Sequence, residues 1–149
     1  MTRKQEIYNH YQQLLDEKIQ ALQQVLADLK ESGSNETKST AGDKHETALA
    51  MLQIEQANKR AQLQEMLAQK DTLNKIDPAK SAAMIVNGSL VKTNKGYLFI
   101  STALGKAVIG GMTVIALSLQ SPLGQRLMGL KAGDTTSFNQ SAYSIETIE

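Results

Sequence analysis

Apolar residues recur every three or four positions through the first part of the chain, with Gln, Glu, Asp and Lys between them. The positions are Ile7, Tyr11, Leu14, Leu15, Ile19, Leu22, Val25, Leu26 and Leu29. This spacing gathers them on one side of a helix and predicts an amphipathic α-helix. The helix is expected to end near residues 32–35, where Gly and Asn can supply a C-terminal cap.

A second helical pattern begins near Thr40 and ends before Asp77-Pro78. It carries Leu49, Leu52, Ile54, Ala57, Ala61, Leu63, Met66, Leu67 and Leu73, and the alanines predict close packing against the first helix. Two long helices joined by a short polar turn predict an antiparallel coiled-coil hairpin. At 1.5 Å per residue each arm is about 40 Å long. The turn region, residues 34–45, is its far end.

After Pro78 the helical period gives way to short β-rich runs punctuated by Gly and Asn. Strands are predicted at residues 84–91, 96–101, 113–119, 135–138 and 143–148. The weakly polar run 107–119 is interpreted as a buried strand with a Gly-Gly turn, and it is shorter than a membrane-spanning helix. A Ser cap, a Pro at the first helical position and a closing Gly predict a short helix within residues 121–129. The predicted fold class is therefore α+β, with a helical hairpin in residues 1–77 and a small β-rich domain in residues 78–149.

Composition excludes several classes of protein. The 149 residues are 41% hydrophobic and 21% charged, as in a soluble folded protein. Aromatic residues make up only 4%, and the net charge is +1, so direct binding of nucleic acid is poorly supported. Without any Cys there is no disulfide, thiolate metal site or cysteine nucleophile. The first residues have no apolar leader, and we expect a cytoplasmic protein with no membrane partner.

Two carboxylates lie at the predicted tip of the hairpin. Asp43 follows Gly42, and Glu46 comes three positions later, which places both acids on one face of the helix that starts there. Carboxylates, together with water and substrate phosphate, are the ligands that Mg²⁺ prefers. The alternative is structural, because Thr40 and Asp43 also fit a capping box.

The other polar residues of the tip have simpler interpretations. Lys38 and Lys44 are most simply a solvated loop, and the functional alternative is contact with a partner's carboxylates or with phosphate groups. His45 is expected to be exposed rather than a metal ligand, since no second His or Cys accompanies it.

The whole arrangement resembles the Gre family of bacterial transcript-cleavage factors. The resemblance rests on the hairpin with Gly42-Asp43 and Glu46 at its tip, followed by a small β-rich domain. That domain contains Ser121-Pro122-Leu123-Gly124 and then Leu127-Met128-Gly129-Leu130-Lys131-Ala132-Gly133-Asp134. The C-terminal portion is similar to the FKBP-like domain of the family, and the match runs nearly end to end.

The resemblance implies a function that depends on a partner. Family members insert the hairpin into the secondary channel of RNA polymerase, where the tip acids help to hold the second catalytic Mg²⁺ and orient the attacking water. By this resemblance Asp43 is the acid that holds the shared Mg²⁺ and Glu46 supports it. The polymerase then cleaves its own backtracked RNA, so the chain is not an enzyme by itself and binds no cofactor tightly. Contact with the nascent RNA is indirect, and a monomer is expected.

The resemblance also implies that the C-terminal domain binds RNA polymerase. The residues predicted to make this contact are Ser121, Pro122, Leu123, Gly124 and Arg126.

Three alternatives stay open at this point. A non-cleaving regulator of the same fold would enter the same channel, as inhibitory relatives in the family do. A peptidyl-prolyl isomerase would need an aromatic pocket, for which the chain has few rings. A structural coiled-coil module would dimerise through its hairpin.

Overall fold

Two long helices precede a six-stranded mixed sheet, which confirms the α+β class. The computed structural model of the chain describes residues 1–36 and 42–149, and at residues 35, 36 and 42–45 it describes the backbone alone. The helices are α1 (Arg3–Glu36), α2 (Gly42–Asn74) and α3 (Pro122–Leu127). The strands are β1 (Leu90–Thr93), β2 (Gly96–Ile100), β3 (Gly105–Ile109), β4 (Met112–Leu117), β5 (Thr135–Phe138) and β6 (Ser141–Ile148).

Contacts divide the chain into two compact units. The hairpin unit comprises residues 14–70, and the sheet unit comprises residues 1–13 together with residues 71–149. The sheet unit therefore includes the first turns of α1 and the last turn of α2. The predicted division into residues 1–77 and 78–149 concerns folding domains and stays a prediction.

The long helices run antiparallel, as two contacts between them show. In the hairpin unit the Lys70 ammonium group lies 2.8 Å from the Asp16 carboxylate. In the sheet unit the Gln12 side-chain amide donates to the Asn74 side-chain oxygen at 2.9 Å. Gln12 precedes Asp16 on α1, whereas its partner Asn74 follows Lys70 on α2, as an antiparallel hairpin requires.

The hairpin unit has a coiled-coil seam on α2. Apart from Ala48 and Gln69, its half-buried positions within residues 46–70 alternate in steps of three and four, the spacing of a seven-residue repeat. They are Leu49, Leu52, Gln56, Lys59, Leu63, Met66 and Lys70. Ala57 and Ala61 lie off this seam and are exposed. The prediction that these alanines pack closely against α1 is therefore wrong, because the repeat places polar side chains at the seam and the alanines beside it.

The helix ends lie close to the predicted ones. Helix α1 passes through Gly33 and ends at Glu36, just beyond the predicted 32–35. Helix α2 ends at Asn74, before Asp77-Pro78. The Asp77 carboxylate accepts the backbone N–H of Ala79 at 3.0 Å, which closes a turn that leads away from the helix.

The sheet has the strand order β3-β4-β2-β1-β6-β5. Strands β2 and β4 are parallel, and the other neighbouring pairs are antiparallel. One group of core residues comprises Ile85, Val91, Leu98, Ile100, Leu117, Leu127 and Ile145. Phe99, which lies between Leu98 and Ile100 on β2, faces the other side and stacks on Tyr11 of α1 with ring centroids 6.2 Å apart. The start of α1 is thus part of the core of the sheet unit.

Two strand predictions are corrected by the structure. Residues 84–91 do not form one strand: Met84 makes an isolated bridge to Lys131, and β1 begins only at Leu90. Gly88, with φ of +94°, turns the chain between them. The run 107–119 holds two strands, β3 and β4, joined at Gly110-Gly111. Strand β3 is mostly exposed, because it lies at the edge of the sheet.

Tyr11 adds a buried polar contact to this packing. Its ring is fully buried, and its hydroxyl donates to the Gly105 carbonyl oxygen at 2.9 Å. Burial raises the pKa of Tyr11 to about 12, and a backbone hydrogen bond with Ala116 acts in the opposite direction with smaller effect. The fold therefore favours the neutral phenol over the phenolate.

We expect the Tyr11→Phe variant to differ from wild type in its response to alkaline pH. The pKa of Tyr11 in the folded protein lies above the ordinary 10.0 of an unfolded chain. The neutral phenol therefore contributes fully to the free energy of unfolding below pH 10, and this contribution is lost as pH rises from 10 to about 12. That loss is about 2 to 3 kcal/mol for a shift of this size. At neutral pH the variant should be less stable by about 1 kcal/mol, because the Gly105 carbonyl loses its donor.

Urea unfolding of both proteins at a series of pH values measures this difference. Tyr8→Phe, which removes the same atom from a half-buried ring, is the matched control. A stability difference between wild type and Tyr11→Phe that stays constant up to pH 12 would contradict the role given to Tyr11.

Candidate functional site

The predicted acidic tip lies at the beginning of α2. Gly42 and Asp43 are the first residues of the helix, and Glu46 follows one turn later with an exposed side chain. The i, i+3 spacing places Asp43 and Glu46 on the same face of that helix. The side chain of Asp43 lies outside the described residues, and so does the predicted capping box with Thr40.

The side chains of three other tip residues are also outside the described part of the chain. These are Lys38, Lys44 and His45. Their predicted roles as solvated or partner-contacting residues stay predictions.

Glu46 is the acid at the start of α2 whose side chain the structure describes. It offers exposed carboxylate oxygens, which suit Mg²⁺. Among the described residues no group of three or more His, Asp or Glu side chains is placed to hold a metal ion.

The predicted polymerase-binding residues lie in and just before α3. Ser121 is the N-cap: its hydroxyl accepts the backbone N–H of Gly124 at 3.0 Å and donates to the Ser118 carbonyl at 2.6 Å. Pro122 occupies the first turn and is exposed, as is Arg126. Gly124 is buried, and Leu123 is half-buried against the core. Of the five predicted residues, Pro122 and Arg126 are thus the most accessible to a partner.

Exposed apolar side chains lie beside α3. The backbone of Ile85 pairs with that of Gly129 and Leu130, which brings the segment 84–86 next to the end of α3. Ile85 is buried, while Met84, Val86 and Met128 are exposed by 42%, 39% and 56%. Arg126, two residues before Met128, is also exposed, and we call these four residues the α3 face.

Most of the α3 face was not predicted from the sequence. Met84 and Val86 fall inside the predicted strand 84–91. Their exposure depends on how the segment 84–86 runs beside Gly129, a contact between residues far apart in sequence. No local pattern carries that information.

Helix α2 also exposes apolar side chains away from its seam. Met51 is 66% exposed and Ile54 is 63% exposed. With Glu55, Asn58, Lys59 and Gln62 they line an open cavity of about 400 Å³ in the hairpin unit. The arm therefore has an apolar surface that its own coiled coil does not use.

Across the described residues, no helix combines the length and the apolar character that a membrane crossing requires. The aromatic rings Tyr11 and Phe99 are buried against each other, so they cannot line a ligand pocket.

A solved structure is similar to this chain, whereas the comparisons with family models and curated proteins found none. No family model and no curated protein matches the chain. The solved structure of the transcription factor Gfh1 aligns over 92% of this chain and 92% of its own, with 17% sequence identity and a TM-score of 0.36. At this TM-score the description of the fold rests on the contacts within the chain itself.

Proposed function

We propose that this chain is an RNA polymerase-binding transcription elongation factor that promotes Mg²⁺-dependent cleavage of backtracked RNA. The hairpin enters the secondary channel of the polymerase and delivers Asp43 and Glu46 to its active centre. The observation that carries the proposal is the antiparallel hairpin, in which an acid pair occupies the first turns of α2. Its agreement with the motif of the Gre family supports it.

The two acids have different roles at the tip. Asp43 supplies carboxylate oxygens to the shared ion, and Glu46 orients the attacking water by accepting its hydrogen bond. When bound, Mg²⁺ activates water and stabilises the leaving oxygen of the phosphodiester. The chain itself holds the ion too weakly to act alone, so the reaction belongs to the polymerase and this protein is not an enzyme.

Binding to the polymerase is assigned to the sheet unit. The α3 face joins exposed apolar area to the guanidinium group of Arg126, and Pro122 lies in the same helix. Met and Arg are enriched at protein interfaces, and a partner that covers Met84 and Met128 would remove them from water. The exposed Met51 and Ile54 on the arm have the same explanation, since the channel wall would cover them.

The proposal is tested with an arrested transcription complex. Purified RNA polymerase is stalled on a template in a backtracked state, and RNA length is followed with and without this protein in Mg²⁺ buffer. Shortened transcripts are expected in its presence. Full-length RNA, together with co-sedimentation of the protein with polymerase, would replace the proposal by a non-cleaving regulator of the same fold.

Two further outcomes bear on other functions. Failure to associate with polymerase would remove the proposal altogether, and light scattering would then show whether the exposed arm surface around Ile54 joins two copies of the chain. Peptidyl-prolyl isomerase activity is not expected, because the chain has few aromatic rings and Phe99 is buried against Tyr11.

A further inference from the structure

The outer side of α2 carries large exposed apolar side chains. Ile54 comes two positions after Leu52 and two before Gln56, both of which belong to the seam. Two residues turn an α-helix by about 200°, so Ile54 lies on the side of α2 opposite the seam. Met51 is about one turn earlier, and the two side chains are 66% and 63% exposed. We define the α2 outer patch as Met51 and Ile54 together with the exposed Ala50 and Ala57.

Two opposite charges flank the α2 outer patch. Glu46 precedes it, Arg60 follows it, and both side chains are exposed. The two residues are 14 positions apart, which is two of the seven-residue repeats that the seam follows, so they lie on the same side of α2. Among the residues that the structure describes, neither takes part in an ion pair. Each charge is therefore available to a partner.

The charges and the apolar side chains are centred at the same level of the helix. Gln53 is the midpoint between Glu46 and Arg60. The midpoint of Met51 and Ile54 falls half a residue before Gln53, and that of Ala50 and Ala57 falls half a residue after it. The surface is thus arranged symmetrically about a single level, as a contact between two identical helices requires.

A two-fold axis at the level of Gln53 brings complementary groups together. It places a second α2 antiparallel to the first, with Met51 against the partner's Ile54 and Ala50 against the partner's Ala57. Glu46 then faces the partner's Arg60, and the symmetry makes every contact twice. A parallel pair would instead place Glu46 against the partner's Glu46 and Arg60 against the partner's Arg60, which is repulsive.

We propose that the α2 outer patch joins two copies of this chain in an antiparallel two-fold dimer, with a Glu46–Arg60 ion pair at each end of the contact. The partner removes Met51 and Ile54 from water, which is the main favourable contribution. The alanines have small side chains and let the two helices approach closely. Gln53 meets its own copy, and its amide can both donate and accept a hydrogen bond there.

This dimer goes beyond the proposed function, and it differs from the monomer that the family resemblance implies. In the proposed function the channel wall covers Met51 and Ile54, so the two occupants would use the same surface in turn. The dimer would then be the form of the free protein. Its evidence is the symmetry of charge and apolar area on α2, which does not depend on the polymerase.

The dimer is expected to be weak and reversible. The flanking charges are about 21 Å apart along the helix at 1.5 Å per residue, and a contact this short lies at the low end of specific interfaces, below about 1,200 Å². We expect a dissociation constant of about 10 to 100 μM. Sedimentation equilibrium of the full-length protein from about 5 to 500 μM measures it.

An apolar pair of variants tests the centre of the contact. Ile54→Gln should weaken the dimer by at least about tenfold, because Ile54 lies at the middle of the interface. Val108→Gln removes a side chain that is 69% exposed on β3 and should leave association unchanged. Both side chains are exposed, so the fold should be retained, and circular dichroism checks this.

A charge exchange tests the register. Arg60→Glu places Glu46 against a partner's acid at both ends, and Glu46→Arg places two arginines there, so each variant alone should dimerise at least about tenfold more weakly than wild type. An equimolar mixture of the two variants restores opposite charges at both ends in a mixed dimer. We expect the mixture to associate about as well as wild type, which two damaged proteins could not do.

Three results would overturn the proposal. The first is a wild-type protein that stays monomeric at about 500 μM, which would leave the α2 outer patch to another partner such as the channel wall. The second is equal weakening by Ile54→Gln and Val108→Gln. The third is a mixture of the charge variants that associates no better than either alone. Transcript cleavage is a separate measurement, so failure of either proposal is distinguished from failure of the other.

Discussion

The Asp43→Ala variant is expected to leave the RNA of an arrested polymerase at full length while it still binds the polymerase. Under the proposed function, Asp43 is the acid that holds the shared Mg²⁺, and nothing else in the first turn of α2 replaces it except Glu46, which has the supporting role. We expect cleavage to slow by at least about a hundredfold, which corresponds to about 3 kcal/mol of lost transition-state stabilisation. Single-turnover cleavage of a radiolabelled backtracked transcript measures this rate.

Two further variants test whether the loss of cleavage is specific to Asp43. Glu46→Ala should slow cleavage less than Asp43→Ala does, because a residue that orients water contributes less than a ligand of the ion. Glu65→Ala removes an exposed acid from the same helix, far from its start, and should cleave at the wild-type rate. Wild-type cleavage by Asp43→Ala would refute the assigned role, and loss of polymerase binding by that variant would move Asp43 from catalysis to docking.

The Gly124→Ala variant is expected to lose a large part of its folding free energy. An added Cβ at Gly124 would overlap the Ser118 carbonyl oxygen and lie 2.8 Å from the Leu119 Cα. Both atoms belong to the backbone and cannot rotate away, so α3 would have to move off the preceding segment. We expect a loss of at least about 3 kcal/mol, at the upper end of what overpacking costs.

Urea unfolding followed by circular dichroism measures this loss. Gly33→Ala is the control, because a Cβ at Gly33 meets nothing within 4 Å and the residue lies inside α1. That substitution should raise stability by about 0.5 to 1 kcal/mol through its effect on helix propensity and on the unfolded chain. Equal stabilities for Gly124→Ala and wild type would show that α3 can shift without cost.

A large loss in Gly124→Ala would also change how the predicted polymerase-binding segment is tested. The buried Gly124 allows α3 to pack closely against residues 118–119, whereas Pro122 and Arg126 present their side chains to solvent. Substitution of Arg126 therefore tests docking, and substitution of Gly124 tests folding. Weak polymerase binding by a Gly124 variant would not by itself identify a contact.

Local patterns in the sequence were sufficient for the regular elements. The three- and four-residue spacing of apolar positions predicted both long helices, and Ser121-Pro122 predicted the start of α3. The β-rich runs predicted β2, β4, β5 and β6, including β5 at an edge of the sheet. Such predictions succeed because helix periodicity, capping and turn formation depend on residues within a few positions of one another.

The failures have a common cause. The seam of α2 runs through Gln56 and Lys59 and leaves Ile54 exposed, although Ile54 belongs to the apolar pattern. A short apolar run such as 107–119 satisfies both a single buried strand and a hairpin, and only the pairing of β3 with β4 distinguishes them. In each case the position of a partner element decided the burial or the strand pairing, and no local pattern contains that position.

Individual residues divide in the same way. Asp43 and Glu46 were proposed from their spacing, because carboxylates one helical turn apart share a face whatever surrounds them, and their role stays a prediction. Lys4, a polar residue in the first turn of a polar helix, had no sequence feature that predicted its burial. Its ammonium group donates to main-chain oxygens of Lys80 and Glu149, which lie 76 and 145 positions away along the chain. The order of residues was thus enough for the long helices and the Ser121 cap, since these depend on near neighbours, whereas burial, exposed surfaces and cavities arise from contacts that exist only once distant segments have packed together.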